Sequence, residues 1–174
     1  NHIWLQDYDL PYEDVIGIPA EIALQIAGHL KSFITDDEQQ DIDKIPTSNL
    51  EAYNLYLQGR YLYTQGNKED LDSSIQFFRM ALEIDPGYAL AYSGMAATYS
   101  RYAAHGFKSR KEVMHLAKEA AEKALSMDNT LAEAHNELAW TRIYQDFDWE
   151  EGERRLKRAI QLNPNYAKAH MDYS

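Results

Sequence analysis

One eleven-residue pattern occurs three times in this chain and limits its fold more than any other feature. The copies are Leu82–Tyr92, Leu125–His135 and Ile160–His170. Each reads as the end of one helix, a polar turn and the start of the next. Pro86 and Pro164 stand in two of these turns, and proline cannot continue a helix. The equivalent alanines Ala81, Ala124 and Ala159 are spaced by 43 and then 35 residues. Periods of this size mean stacked helical units. A lone helix pair cannot bury its apolar face, so each must lean on the next.

Apolar spacing and capping signals predict the helices. Ser48 with Glu51 has capping-box spacing and opens a helix over 49–65, with Tyr53, Leu57 and Tyr61 along one face. Gly66-Asn67 ends it. A helix over 68–84 carries the stripe Leu71, Ile75, Phe78 and Leu82. A third runs over 88–104 and stops at His105-Gly106. Ser109 with Glu112 caps a fourth over 109–127, whose inner face is Ala117, Ala120, Ala121 and Ala124. Alanines there let a neighbouring helix come close. Thr130 with Glu133 caps a helix over 131–145, and Asp148 with Glu151 caps one over 149–162. The latter has the stripe Trp149, Gly152, Leu156 and Ala159. Another helix starts near Tyr166. Extra residues around His105 to Arg110 account for the longer first spacing.

These residues resemble the tetratricopeptide repeat (TPR). The resemblance rests on Tyr92, Met95, Ala96 and Tyr99 in the first helix of a pair. In the second helices it rests on Ser74, Phe78, Ala81 and Pro86, on Ala117, Ala121 and Ala124, and on Gly152, Leu156, Ala159 and Pro164. Arg142 departs from it, standing where an aromatic is usual. The resemblance covers about residues 50–174. It implies an all-α fold, a right-handed superhelix of antiparallel helix pairs. Residues 48–174 would hold three repeats and the first helix of a fourth. In such arrays the first helix of each pair lines a concave groove. The resemblance places Asn54, Gln58 and Tyr61, then Ser93, Ala97 and Arg101, then Glu133, Asn136, Trp140 and Tyr144 on that groove. Trp140 is either an exposed anchor for an extended or helical peptide or a side chain packed between helices. One TPR subclass clamps a C-terminal carboxylate with lysine and asparagine. Gly94, Glu133 and Glu137 stand at three of those positions, so that chemistry is not implied.

Residues 1–47 read as the end of a preceding domain. Ile3 to Tyr8 is β-prone and forms either one strand or a loose arm. Pro19 fits a helix first turn, and Ile22, Ile26, Leu30 and Phe33 follow at helical spacing to about residue 34. Thr35 with Glu38 opens a short acidic helix, and 45–48 reads as a linker. Ile3-Trp-Leu, Ile18-Pro-Ala-Glu-Ile22 and Glu51 to Arg60 resemble the tail of a TolB-like domain running into TPRs. Bacterial chains of that kind begin with a nucleotide cyclase, a DNA-binding domain or a kinase. The absent initiator Met fits a segment cut from something longer.

Charge and composition narrow the function. The net charge is −11, which phosphate backbones and anionic membranes repel, so neither nucleic acid nor membrane is an expected partner. No cysteine is present, which removes disulfides and thiolate chemistry and fits a cytoplasmic, reducing setting. No apolar run reaches the roughly 18 residues that a membrane helix needs. The six histidines form no compact ligand pattern, and His135 and His170 occupy equivalent repeat positions, which favours packing. Acidic pairs such as Glu150-Glu151 sit at helix starts, where they complement the dipole. No phosphate loop appears. The expectation is no catalytic residue, no metal and no cofactor. The expected role is a protein-interaction scaffold that holds a partner segment or another domain of its own chain. The alternative is an oligomerising module that pairs copies through the N-terminal strand or the last helix.

Overall fold

In a computed structural model the described residues are 47–174. The strand or arm, the helix over 19–34 and the acidic helix expected upstream lie outside them. Among the described residues there are seven helices and no strand. They are α1 (Leu50–Gln65), α2 (Lys68–Ile84), α3 (Ala89–Ala104), α4 (Arg110–Met127), α5 (Ala132–Tyr144), α6 (Trp149–Leu162) and α7 (Ala167–Tyr173). From Glu51 onward they form one compact unit. The result is an all-α superhelical repeat.

The core follows the chain in steps. Phe78 of α2 packs with Ala52, Leu55 and Tyr56 of α1 and with Tyr88 and Ala91 beyond. Leu71 and Ile75 then meet Tyr99 and Tyr102 of α3 and Val113 and Ala117 of α4. Ala96, Ala120, Ala121 and Leu138 join α3, α4 and α5. Ala132, Ala159 and Ala169 join α5, α6 and α7. Every cluster draws on three consecutive helices, which is the nearest-neighbour logic of a repeat array. Phe78 is fully buried, with its ring tip in a slot between two helix backbones. A Cβ built on Gly59 would lie 2.7 Å from the ring, and one on Gly94 would lie 2.5 Å from it. Both glycines are there because no side chain fits.

Local chemistry sets the helix ends. Asn67 accepts from the Asp70 N–H at 2.8 Å and caps α2. Asp148 does the same for α6 through the Glu151 N–H at 3.0 Å. The Glu112 carboxylate accepts from the Ser109 N–H at 2.9 Å, completing a capping box on α4. Thr130 does not cap α5: its N–H and hydroxyl both donate to Asp128, at 2.9 and 2.6 Å. An Asx-type turn competes with a cap and wins. Each turn inside a pair contains one left-handed residue: Gly66 at φ 79°, Gly106 at φ 71° and Phe147 at φ 56°. Glycine adopts this conformation freely and phenylalanine does not.

Two predicted faces differ from the structure. On α1 the buried residues are Ala52, Leu55, Tyr56 and Gly59, not Tyr53, Leu57 and Tyr61. Leu57 is 45% exposed and Tyr61 66%. The small residue Gly59 sets the face, because a Cβ there would lie 2.7 Å from the Phe78 ring. On α6, Gly152, Leu156 and Ala159 are buried, but Trp149 lies outside the stripe, 64% exposed.

Candidate functional site

A trough runs along the first helices of the pairs. It holds two adjoining cavities of about 190 and 290 Å³ that share Tyr63, Ala97 and Lys168. Helix α1 contributes Tyr56, Arg60 and Tyr63, which are spaced to share one face. Helix α3 contributes Ser93, Ala97 and Arg101 among others, and α5 contributes Glu133 and Trp140. Tyr166, Lys168, Met171 and Asp172 close the far side.

The trough is built from cations laid on aromatic rings. The Arg60 guanidinium is 5.8 Å from the Tyr56 ring centre and donates to its hydroxyl at 2.8 Å. Arg101 lies 4.6 Å over Tyr63 and donates to the Tyr63 carbonyl at 2.6 Å. The Lys168 ammonium is 5.6 Å over Trp140. Such pairs hold the cations in place at little entropic cost to a later contact. Burial pushes the phenols of Tyr56, Tyr63 and Tyr166 up, so all three remain protonated donors at neutral pH.

A polar lock ties α7 to α5. One oxygen of Asp172 accepts from Asn136 at 2.8 Å, from the Trp140 indole N–H at 2.6 Å and from Lys168 at 2.9 Å. Lys168 also reaches Glu137 at 3.1 Å, whose side chain is 1% exposed. Burial alone would lower the Lys168 ammonium, but Glu137 and Asp172 outweigh it and hold it above the usual lysine value. Asp172 and Lys168 are among the trough residues that sequence reasoning missed. Their signal was the acid–base spacing Lys168 to Asp172 on one helix face.

Of the ten positions placed on the groove by sequence, the trough is lined by Ser93, Ala97, Arg101, Glu133 and Trp140. Asn54, Gln58 and Tyr61 are exposed and lie off it, because α1 is turned by the Gly59–Phe78 contact. Tyr56, Arg60 and Tyr63 stand there instead. Asn136 is fully buried and spends its amide on Asp172. Trp140 is half-buried, with one edge on the trough and its N–H already engaged. Tyr144 stacks on Trp140 at 4.5 Å and faces solvent beyond the trough.

The histidines at equivalent positions do the same job twice. His135 bonds the Asn129 carbonyl at 3.0 Å and His170 the Pro164 carbonyl at 2.9 Å, each six residues back across a turn. Burial holds His135 below the usual imidazole value, with Arg155 and Arg158 adding to the effect. A more open hollow of about 560 Å³ follows the outer face of α6, but its charges are largely paired along that helix, as in Arg155 with Glu151 and Lys157 with Glu153. Among the described residues no group of three or more His, Cys, Asp or Glu could hold a metal ion. Among them no helix is long and apolar enough to cross a membrane.

No family model matches the chain. The first TPR of Spaghetti (RPAP3) bound to the HSP90 peptide SRMEEVD is similar in structure, with a TM-score of 0.57 and 19% identity. The match covers 71% of this chain and 89% of that one. The OM64 TPR domain of Arabidopsis matches at a TM-score of 0.56 and 16% identity, over 70% of this chain and 90% of that one. The Sgt2 TPR domain of Aspergillus fumigatus matches at 0.57 and 20%, over 72% and 76%. These likenesses establish the fold. In sequence, 95 residues are 27% identical to the Rhizobium meliloti (strain 1021) protein named "Putative adenylate cyclase 3". The match spans 55% of this chain and 16% of that protein.

Proposed function

We propose that this TPR-type array is a protein-interaction scaffold that takes a peptide segment of a partner, or of another domain of its own chain, into the trough. The observation that carries this reading is the row of ring-backed cations, Arg60, Arg101 and Lys168, around two joined cavities. Pre-placed aromatic and guanidinium groups in a concave site are the usual makings of a binding hot spot. The structural neighbours support it, one of them being described as bound to an HSP90 peptide. Glu133 lines the trough and Glu137 is buried beneath Lys168, so a receptor for a bare C-terminal carboxylate is not the form proposed. No reaction is assigned to these residues. The likeness to a cyclase-named bacterial protein supports a cytoplasmic signalling or regulatory setting, in which the array would relay or localise activity.

The test is a dodecapeptide phage selection on the whole chain, repeated on Ala97→Trp. Ala97 lines both cavities, so an indole there occludes the trough. Selected peptides should bind Ala97→Trp at least tenfold more weakly, with an unchanged thermal midpoint. Equal binding to both proteins removes the trough from the reading.

A further inference from the structure

The trough sorts its own charges into those spent inside the fold and those left for a guest. Lys168 is neutralised from within, 3.1 Å from Glu137 and 2.9 Å from Asp172. Asp172 in turn is spent on Asn136, Trp140 and Lys168. Three charged side chains remain. Arg60 donates to the Tyr56 hydroxyl at 2.8 Å and Arg101 to the Tyr63 carbonyl at 2.6 Å, both uncharged acceptors. Glu133 lines the same cavity as Arg60. Among the described residues none of these three forms an ion pair.

Their placement gives the pattern of the guest. Arg60 stands on α1 and Arg101 on α3, whereas Glu133 stands on α5. The smaller cavity holds Arg60 with Glu133, and the larger one holds Arg101. A chain with a net charge of −11 repels a uniformly acidic segment at long range, so acidity alone is not what the trough selects. In an extended segment successive side chains point to opposite sides, and residues i and i+2 are about 7 Å apart. That step is on the scale of two cavities that share Tyr63, Ala97 and Lys168 as walls. We propose that the trough recognises an extended internal segment of a partner protein in which an acidic, a basic and an acidic residue follow one another. The two acids meet Arg60 and Arg101, whose planar forks suit carboxylates, and the base between them meets Glu133. This deepens the scaffold reading and rests on it.

The test uses three fluorescein-labelled dodecapeptides that differ only at their centre: Glu-Lys-Glu, the same-composition Glu-Glu-Lys, and Glu-Glu-Glu. Each is titrated with the whole chain and read by anisotropy, at a temperature where circular dichroism shows every variant folded. Wild type should bind Glu-Lys-Glu more tightly than Glu-Glu-Lys, by about fivefold or more. Arg101→Gln should weaken Glu-Lys-Glu by about threefold or more, and by less at high salt. Glu133→Lys should invert the order, preferring Glu-Glu-Glu to Glu-Lys-Glu, which lost packing alone would not do. Ala97→Trp should lose all three peptides. Equal affinity for Glu-Lys-Glu and Glu-Glu-Lys, or an unchanged order on Glu133→Lys, overturns the charge pattern, while loss of binding on Ala97→Trp would leave the trough reading standing. Undiminished binding to Ala97→Trp overturns both. No binding of Glu-Lys-Glu by wild type also overturns the pattern, and the phage-selected peptides then decide the trough by themselves.

Discussion

Gly94→Ala tests the packing argument at its tightest point. An added Cβ would sit 2.5 Å from the Phe78 ring and 2.8 and 2.9 Å from two further ring atoms. Ordinary contact begins near 3.4 Å, so ring or helix must move by about 1 Å. The ring cannot simply retreat: it is fully buried, and Gly59 approaches the same ring tip. Overpacking of this kind costs about 1–3 kcal/mol. Alanine in a helix interior gains about 1 kcal/mol over glycine, which partly offsets it. The expected net loss is about 1 kcal/mol, measured by urea unfolding followed by circular dichroism with an unchanged m-value. Phe78→Leu shortens the side chain and opens the slot. The double variant should therefore be more stable than the summed single effects imply, by about 0.5 kcal/mol or more. If Gly94→Ala is stabilising by the propensity gain alone, or if the two changes simply add, the slot reasoning is wrong.

Three further outcomes follow from the polar contacts. Lys168→Met leaves the Glu137 carboxylate buried without its ammonium. The expected loss is about 2 kcal/mol, below the roughly 3–5 of a fully enclosed pair because Lys168 is partly exposed, and α7 amides should lose hydrogen-exchange protection first. His135 is held below its usual pKa, so the unfolded chain takes up its proton first as the pH falls. Its contribution is intact above about pH 6.5, fades below that value and is gone once the pH has passed the lowered folded value. Urea midpoints at pH 7.5 and 5 should differ less in His135→Gln than in wild type. Asp146 is held below the usual carboxylate value, chiefly by Lys118 and then by Arg142. Its contribution is present above about pH 4 and lost as the pH falls through the lowered value. Asp146→Asn should cost about 1 kcal/mol or less at low salt near neutral pH, and less still in 1 M salt, by urea unfolding.

Helix ends were the most legible feature, because they are written in local chemistry. Gly66-Asn67, Asp85-Pro86, Ser109 with Glu112 and Asp148 with Glu151 placed the limits of α2, α4 and α6 to within about a residue. Helix faces were less legible where small residues decide them. On α1 the tyrosines Tyr53 and Tyr61 outweighed Gly59 in the pattern. Yet it is Gly59, by admitting Phe78, that turns Tyr56, Arg60 and Tyr63 toward the trough. Trp149 was misplaced because a ring at stripe spacing looks buried, and the exposed turn at Phe147 carries no signature in spacing. The Asp172 lock depends on side chains of α5 and α7 more than 30 residues apart in sequence, which no local pattern brings together.

The buried Glu137–Lys168 pair bears on how a chain of look-alike hairpins assembles. Segments that share a pattern risk docking on the wrong sibling while folding, since apolar ridges discriminate poorly among themselves. At the repeat-equivalent positions, 43 residues before Glu137 and 35 before Lys168, the chain carries Gly94 and Glu133. A wrongly seated α7 would therefore strand an ammonium against the wrong group, or leave a carboxylate dry and alone. The pair acts as a key cut for one lock, setting the order of the stack where hydrophobic contact alone would leave it ambiguous.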